Sequence, residues 1–352
     1  MQLPRCYSLW LILLLMIMGG CIDEISFDSE FSENQLVVEG SVHNGPGPYT
    51  VHLGETQLGE NLPLPLSDAT IQLIDSNDNR LAFNEIEPGK YQTMDESFRG
   101  EPGETYHIEI ELPDGRSYSS KPETMPLQTA SSTVHLEPGF VPERTASGGT
   151  RDVPVVFVSA NTDLPVTEDP IFLKWTVEGL YAYREFDDPS PFAPPPRTCF
   201  ITEKINPQNI LLFSGTQSGS GQIRDQFLTE RRVVVQHKFF IRYYFNVVTT
   251  SITEQRYNYW QNVEEMINRS GTIFDVPPAT VPGNIKNNNQ NGMPALGYFE
   301  AVLRDTSREF ITSSDFSFFI PDPCGITNTE RHQNCYDCLE IENSTNERPP
   351  YF

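Results

Sequence analysis

The sequence predicts a mainly β protein: a β-sandwich followed by a larger antiparallel β domain with one substantial helix. Short runs rich in Val, Ile, Thr, Tyr and Phe alternate apolar with polar residues, which is the period of a strand with one buried face. Turn formers separate them, with 29 Pro and 23 Gly in a chain of 352 residues. Only one later stretch, Thr253 to Ile267, carries helical spacing instead. The aromatic and β-branched content excludes a disordered chain.

At the start, Arg5 precedes the apolar run Leu9 to Met18, which is too short to span a bilayer core and ends in Gly19, Gly20 and Cys21. Residues 1–20 therefore read as a signal peptide and residues 21–30 as a lipidated tether. Met18-Gly19-Gly20-Cys21 resembles a bacterial lipobox, with Cys21 carrying the lipid anchor that serves in place of a spanning helix. The following Ile22-Asp23-Glu24 is similar to the acidic export signal of Bacteroidota lipoproteins, which implies the outer membrane and a face toward the cell exterior.

Residues 31–125 supply the first domain. Strands are predicted at Gln35–Val42, Tyr49–Leu53, Ala69–Ile74, Arg80–Phe83, Gly89–Thr93, Thr105–Leu112 and Arg116–Ser119, with Asp114-Gly115 as a hairpin turn. Their order and spacing, with Val38-Glu39-Gly40 and Gly89-Lys90-Tyr91, resemble an immunoglobulin-like or transthyretin-like sandwich, which implies a scaffold or binding role and no reaction. Asp75-Ser76-Asn77-Asp78-Asn79 looks like the opening of a calcium loop. Arg80 and Ile86, however, stand where that loop needs Gly and Glu, so a polar turn is the expectation.

The second domain is placed at residues 126–338. Val153–Val158 and Ile171–Val177 read as strands, and Asp188 to Arg197 as a proline-rich exposed loop. From Val233 to Val248 the period of two predicts one long strand or two successive ones, with His237 in the apolar register as a packed residue. Thr253 is positioned to cap the helix, whose Tyr257, Trp260, Val263 and Ile267 point to core packing, with an aromatic ligand platform as the alternative. An irregular loop is expected from Pro277 to Gly292, then strands at Ala295–Val302, Phe310–Thr312 and Phe316–Phe319. Residues 339–352 form a C-terminal tail.

The chain holds six Cys, of which Cys6 departs with the signal and Cys21 takes lipid. Cys199, Cys324, Cys335 and Cys338 are left as candidate disulfide cysteines in an oxidising compartment, their connectivity open. Cys335-Tyr336-Asp337-Cys338 has a zinc-like spacing but no second close pair, and no βαβ pattern precedes it as a redox motif needs. With 24 Lys plus Arg against 48 Asp plus Glu, nucleic acid is disfavoured as a partner, because its binding neutralises phosphates with basic side chains.

Glu254 to Trp260, Gly271 to Pro278, Gly283-Asn284-Ile285, Leu296-Gly297-Tyr298-Phe299 and the terminal Cys335-x-x-Cys338 together resemble domain-of-unknown-function family 4249 of Bacteroidota lipoproteins. Pro349-Pro350-Tyr351-Phe352 is similar to the family's Pro-x-Phe-Trp ending without its Trp. The resemblance implies a SusC-like TonB-dependent outer-membrane barrel as partner, with further outer-membrane lipoproteins beside it. It implies an accessory to substrate capture or complex formation, with a structural subunit of an outer-membrane assembly machine as the alternative. No cofactor, metal or catalytic residue follows from it. Neither His-Glu-x-x-His, Gly-x-Ser-x-Gly nor a phosphate loop occurs, and the six His are scattered, so an enzyme is not expected. A carboxylate-based hydrolase remains the third reading, since acidic pairs assemble in space rather than in sequence.

Overall fold

A computed structural model describes residues 35–57, 62–206, 208–215, 221–233, 236–269, 280–289, 292–325 and 331–352. The predicted signal peptide, Cys21, the tether, Val235 and Gly271 to Pro278 lie outside the described residues.

The first strands follow the alternation in the sequence. They are β1 (Leu36–His43), β2 (Thr50–Glu55), β3 (Leu64–Pro65), β4 (Thr70–Asp75) and β5 (Arg80–Glu87). Next come β6 (Lys90–Thr93), β7 (Thr105–Glu111), β8 (Ser117–Ser120) and β9 (Glu123–Thr124). In space they run β8-β7-β4-β5-β6-β2-β1. A register shift at Glu85/Glu87 between β5 and β6 lets the sheet bend, and Leu36, Val38, Val51, Ile71, Ile108 and Tyr118 meet in one core.

The second half holds β10 (Ser131–Arg144), β11 (Thr150–Leu164), β12 (Ile171–Arg184), β13 (Thr198–Ile205), β14 (Leu211–Gly215) and β15 (Gly221–Arg232). It continues with β16 (Tyr243–Ser251), helix α1 (Glu254–Arg269), β17 (Ile285–Asn287), β18 (Leu296–Ile311) and β19 (Ser344–Thr345). β18 pairs parallel with β1 and antiparallel with β16, so strands of both halves join one sixteen-stranded sheet among the described residues. β10, β11 and β15 make a separate three-stranded sheet. Its Val134, Val156, Val158 and Leu228 share a core with Leu173, Trp175, Phe245 and Val247 of the large sheet. The architecture is thus mainly β, with two sheets and one substantial helix, and neither sheet closes into a barrel.

Three local expectations are corrected. The run Val233 to Val248 is broken: β15 ends at Arg232, Gln236–Phe239 is a 3-10 turn, and β16 starts at Tyr243. Apolar alternation persists there because the chain crosses from the small sheet to the large one, and Phe239 stacks on Tyr243 at 4.6 Å. Within the loop read as irregular, Ile285–Asn287 adds an edge strand to β8. Finally, β18 runs unbroken from Leu296 to Ile311, while Phe316–Phe319 contains no strand.

Candidate functional site

Side-chain alternation gives the large sheet a polar face opposite its cores. In register, Lys174 lies beside Thr250 and Thr250 beside Arg304; two residues on, Thr176, Val248 and Thr306 form the next row. Glu178, Asn246 and Arg308 make a third, and β1 adds Glu39 and Ser41 opposite Tyr298 and Glu300.

Helix α1 covers one end of this face. Thr253 caps it, its Oγ1 accepting the Arg256 amide at 3.2 Å, and Tyr257 packs on Phe172 at 5.2 Å. Beneath the cap, Glu123 accepts the Thr253 hydroxyl at 2.9 Å and the Tyr298 hydroxyl. Burial pushes the Glu123 carboxyl above the usual range against those hydrogen bonds and nearby Arg256. The helix does not pack as an apolar stripe. Arg256 is its one buried side chain among those described, and Ile267 is exposed.

Arg256 Nε meets Glu300 Oε2 at 2.5 Å, and the guanidinium lies 4.8, 4.6 and 4.5 Å from the rings of Tyr259, Trp260 and Tyr298. Burial would raise the Glu300 carboxyl, yet Arg256, Arg304 and Lys174 hold it below its ordinary range. Lys174 is different. Its Nζ sits 3.4 Å from the Trp260 ring centroid, and among the described residues it makes neither an ion pair nor a hydrogen bond. Burial lowers its ammonium to about 8, with Glu300 opposing and Arg256 reinforcing the shift.

The C-terminal segment covers the other end of the face. Tyr244 Oη donates to the Tyr351 carbonyl at 2.7 Å, Phe352 packs on Phe200 at 4.8 Å, and Arg308 lies 4.4 Å from the Tyr351 ring. Cys199–Cys338 ties this segment to β13, and Cys324–Cys335 closes the adjacent loop. The two cysteines of the Cys-x-x-Cys thus enter different disulfides, which leaves no thiolates to hold zinc and no internal redox pair. Arg197 braces the junction, bonding Glu185 at 2.7 Å and Asp337 at 2.9 Å.

Beside α1 lies a cavity of about 470 Å³. Lys174, Arg256 and Trp260 line one end, with Val248, Ile210 and Leu211 beside them. Three donors of its lining residues, Arg256 Nη1, Trp260 Nε1 and Trp175 Nε1, are buried without a hydrogen-bond acceptor.

Other sequence-singled residues stand apart from the cavity. His237 sits in the 3-10 turn, edge-on to Tyr183 at 5.5 Å, beside a second cavity of about 610 Å³. In the calcium-like segment, Asp75 Oδ1 accepts the Asn77 and Asn79 amides at 2.8 and 2.9 Å, so the turn itself occupies that carboxylate. Sequence reading missed Lys174, Arg256 and Glu300 as a group, because they lie on three elements far apart in the chain. The only trace was the Glu254 to Trp260 motif, which contains Arg256 and Trp260.

Fold and cavity define a mainly β protein with a recessed, cation-bearing cavity. The chain belongs to the family described as Domain of unknown function (DUF4249), whose model matches residues 22–308. Membership supports a general role as an outer-membrane lipoprotein of Bacteroidota. No curated protein and no solved structure matches the chain. Among the described residues no helix is long and apolar enough to cross a membrane.

Proposed function

We propose that this protein is a surface-exposed lipoprotein, anchored through Cys21, that captures a solute beside a SusC-like TonB-dependent barrel. The cavity beside α1 carries this reading. It is recessed, large enough for a small molecule, and lined by Lys174, Arg256 and Trp260. The immunoglobulin-like or transthyretin-like strands β1 to β8 act as scaffold, and the chemistry is noncovalent capture. Anchoring confines capture to the membrane plane and raises the local concentration of bound solute at the barrel.

The test is purification of the natively lipidated protein from its own outer membrane in mild detergent, with mass spectrometry of what is retained. One stoichiometric TonB-dependent barrel is the expected result. A chain recovered alone overturns the transporter reading, and several coequal outer-membrane proteins turn it into an assembly subunit.

A further inference from the structure

We propose that the cavity binds a small organic monoacid, its carboxylate against Lys174 and its apolar body along Val248, Ile210 and Leu211. The inference rests on the capture reading and names the class of solute.

Charge comes first. The lining carries four cations, Lys174, Lys204, Arg256 and Arg304, against three carboxylates, Glu39, Glu178 and Glu300. A single positive charge is left over, inside a chain whose formal net charge is -24. Glu300 is engaged by Arg256 at 2.5 Å and by Arg304 at 3.9 Å, and Arg304 also bonds Ser41 Oγ at 2.9 Å. Lys204 lies directly across from Glu178 on the neighbouring strand. Among the described residues neither Lys204 nor Lys174 makes an ion pair, and of the two the Lys174 ammonium is the one held in place by the Trp260 ring. A half-buried ammonium in this state is stabilised by an incoming anion more than a fully exposed one is, because part of its own solvation is already lost.

Shape selects the rest of the ligand. A cavity of about 470 Å³ far exceeds a lone inorganic anion, and its lining joins the apolar Ile210, Leu211 and Val248 to polar Thr176, Asn206 and Asn209. One surplus positive charge suits a monoanion and leaves a dianion half unpaired. The walls match an acid with a hydrocarbon or aromatic body.

Calorimetry on the full mature protein tests this with phenylacetate, its neutral isostere phenylacetamide, and inorganic phosphate. Phenylacetate is expected to bind at submillimolar concentration, with the amide and phosphate at least about tenfold weaker. Lys174→Met should lose about tenfold in phenylacetate affinity while its folded state is retained, since the substitution removes a desolvated charge. Lys174→Arg should keep the affinity. The groups facing Lys174 are Glu300 and Arg304 from β18, Arg256 from α1 and Glu39 from β1. Wild-type affinity should fall as pH rises through about 8, because the ligand stays ionised while Lys174 does not, and the Arg variant should show no such fall.

Equal binding of acid and amide overturns the charge assignment, as does unchanged binding by Lys174→Met. Phosphate binding as tightly as phenylacetate overturns the apolar body, and no heat with phenylacetate at millimolar concentration overturns the site. Calorimetry and barrel recovery fail separately. An acid bound by a chain that purifies alone leaves the site standing without the transporter, and a chain that brings down its barrel yet ignores phenylacetate does the reverse.

Discussion

The Asn284 carboxamide takes both polar groups of the Phe299 backbone, its Nδ2 donating to the carbonyl at 2.8 Å and its Oδ1 accepting the amide at 2.9 Å. Phe299 pairs with Gly40 of β1 on its other side, so this side chain substitutes for a missing strand along the edge of β18. Gly297, at φ +86°, has the Val38 carbonyl where a side chain would stand, and a Cβ on Gly283 would strike the Gly297 carbonyl. Gly283-Asn284 and Gly297-Tyr298-Phe299, apart in sequence, are therefore one joint. It fixes β18 against β1 and so places Glu300 and Arg304 in the cavity.

Asn284→Leu should destabilise the protein by about 2–4 kcal/mol, because two buried backbone groups lose their partners together. Urea unfolding followed by tryptophan fluorescence measures it. A change under about 0.5 kcal/mol would show that water replaces the carboxamide and that the joint is not structural.

His43 gives the acid limb of stability. Its ring packs edge-on to Tyr49 at 5.0 Å and accepts the Gly45 amide at 3.0 Å. Burial, then Arg304, lowers it from 6.5 to about 4, with Glu300 opposing. A histidine depressed in the folded state contributes stability that is complete above pH 6.5 and is lost as pH falls through about 4. Discounted for partial exposure, the contribution is on the order of 2 kcal/mol. The stability difference between wild type and His43→Asn should therefore shrink between pH 6.5 and 4. Parallel stability curves across that window would sink the assignment.

Much of the first half was legible because most of its strands bury alternate residues in one core, as in β1, where Leu36, Val38 and Val42 turn inward. Thr253 was legible as a cap for the same local reason. Long-range structure was not. The parallel pairing of β1 with β18 leaves no periodic mark in either strand, and β17 is only three residues long. At α1 the helical spacing of aromatics was real. Its meaning changed at Trp260, which packs on the Arg256 guanidinium and the Lys174 ammonium, whereas Tyr257 packs on Phe172. An apolar count cannot distinguish a ring that covers a cation from one that covers a leucine.

The two disulfides should differ in what they hold. Cys199–Cys338 joins residues separated by 139 positions and Cys324–Cys335 residues separated by 11. Loop-closure entropy alone makes the first worth about 5 kcal/mol and the second about 3 kcal/mol. The longer link also carries the segment whose Tyr351 and Phe352 lie on Tyr244 and Phe200. Replacing Cys199 and Cys338 together by Ser should therefore lower the urea midpoint more than replacing Cys324 and Cys335. It should also speed backbone amide exchange in the C-terminal segment, where the Arg348 guanidinium bonds the Phe352 carbonyl at 2.9 Å. Equal losses from the two double variants would mean that the C-terminal segment is held by its aromatic contacts and the Arg197 ion pairs, with the covalent link adding little.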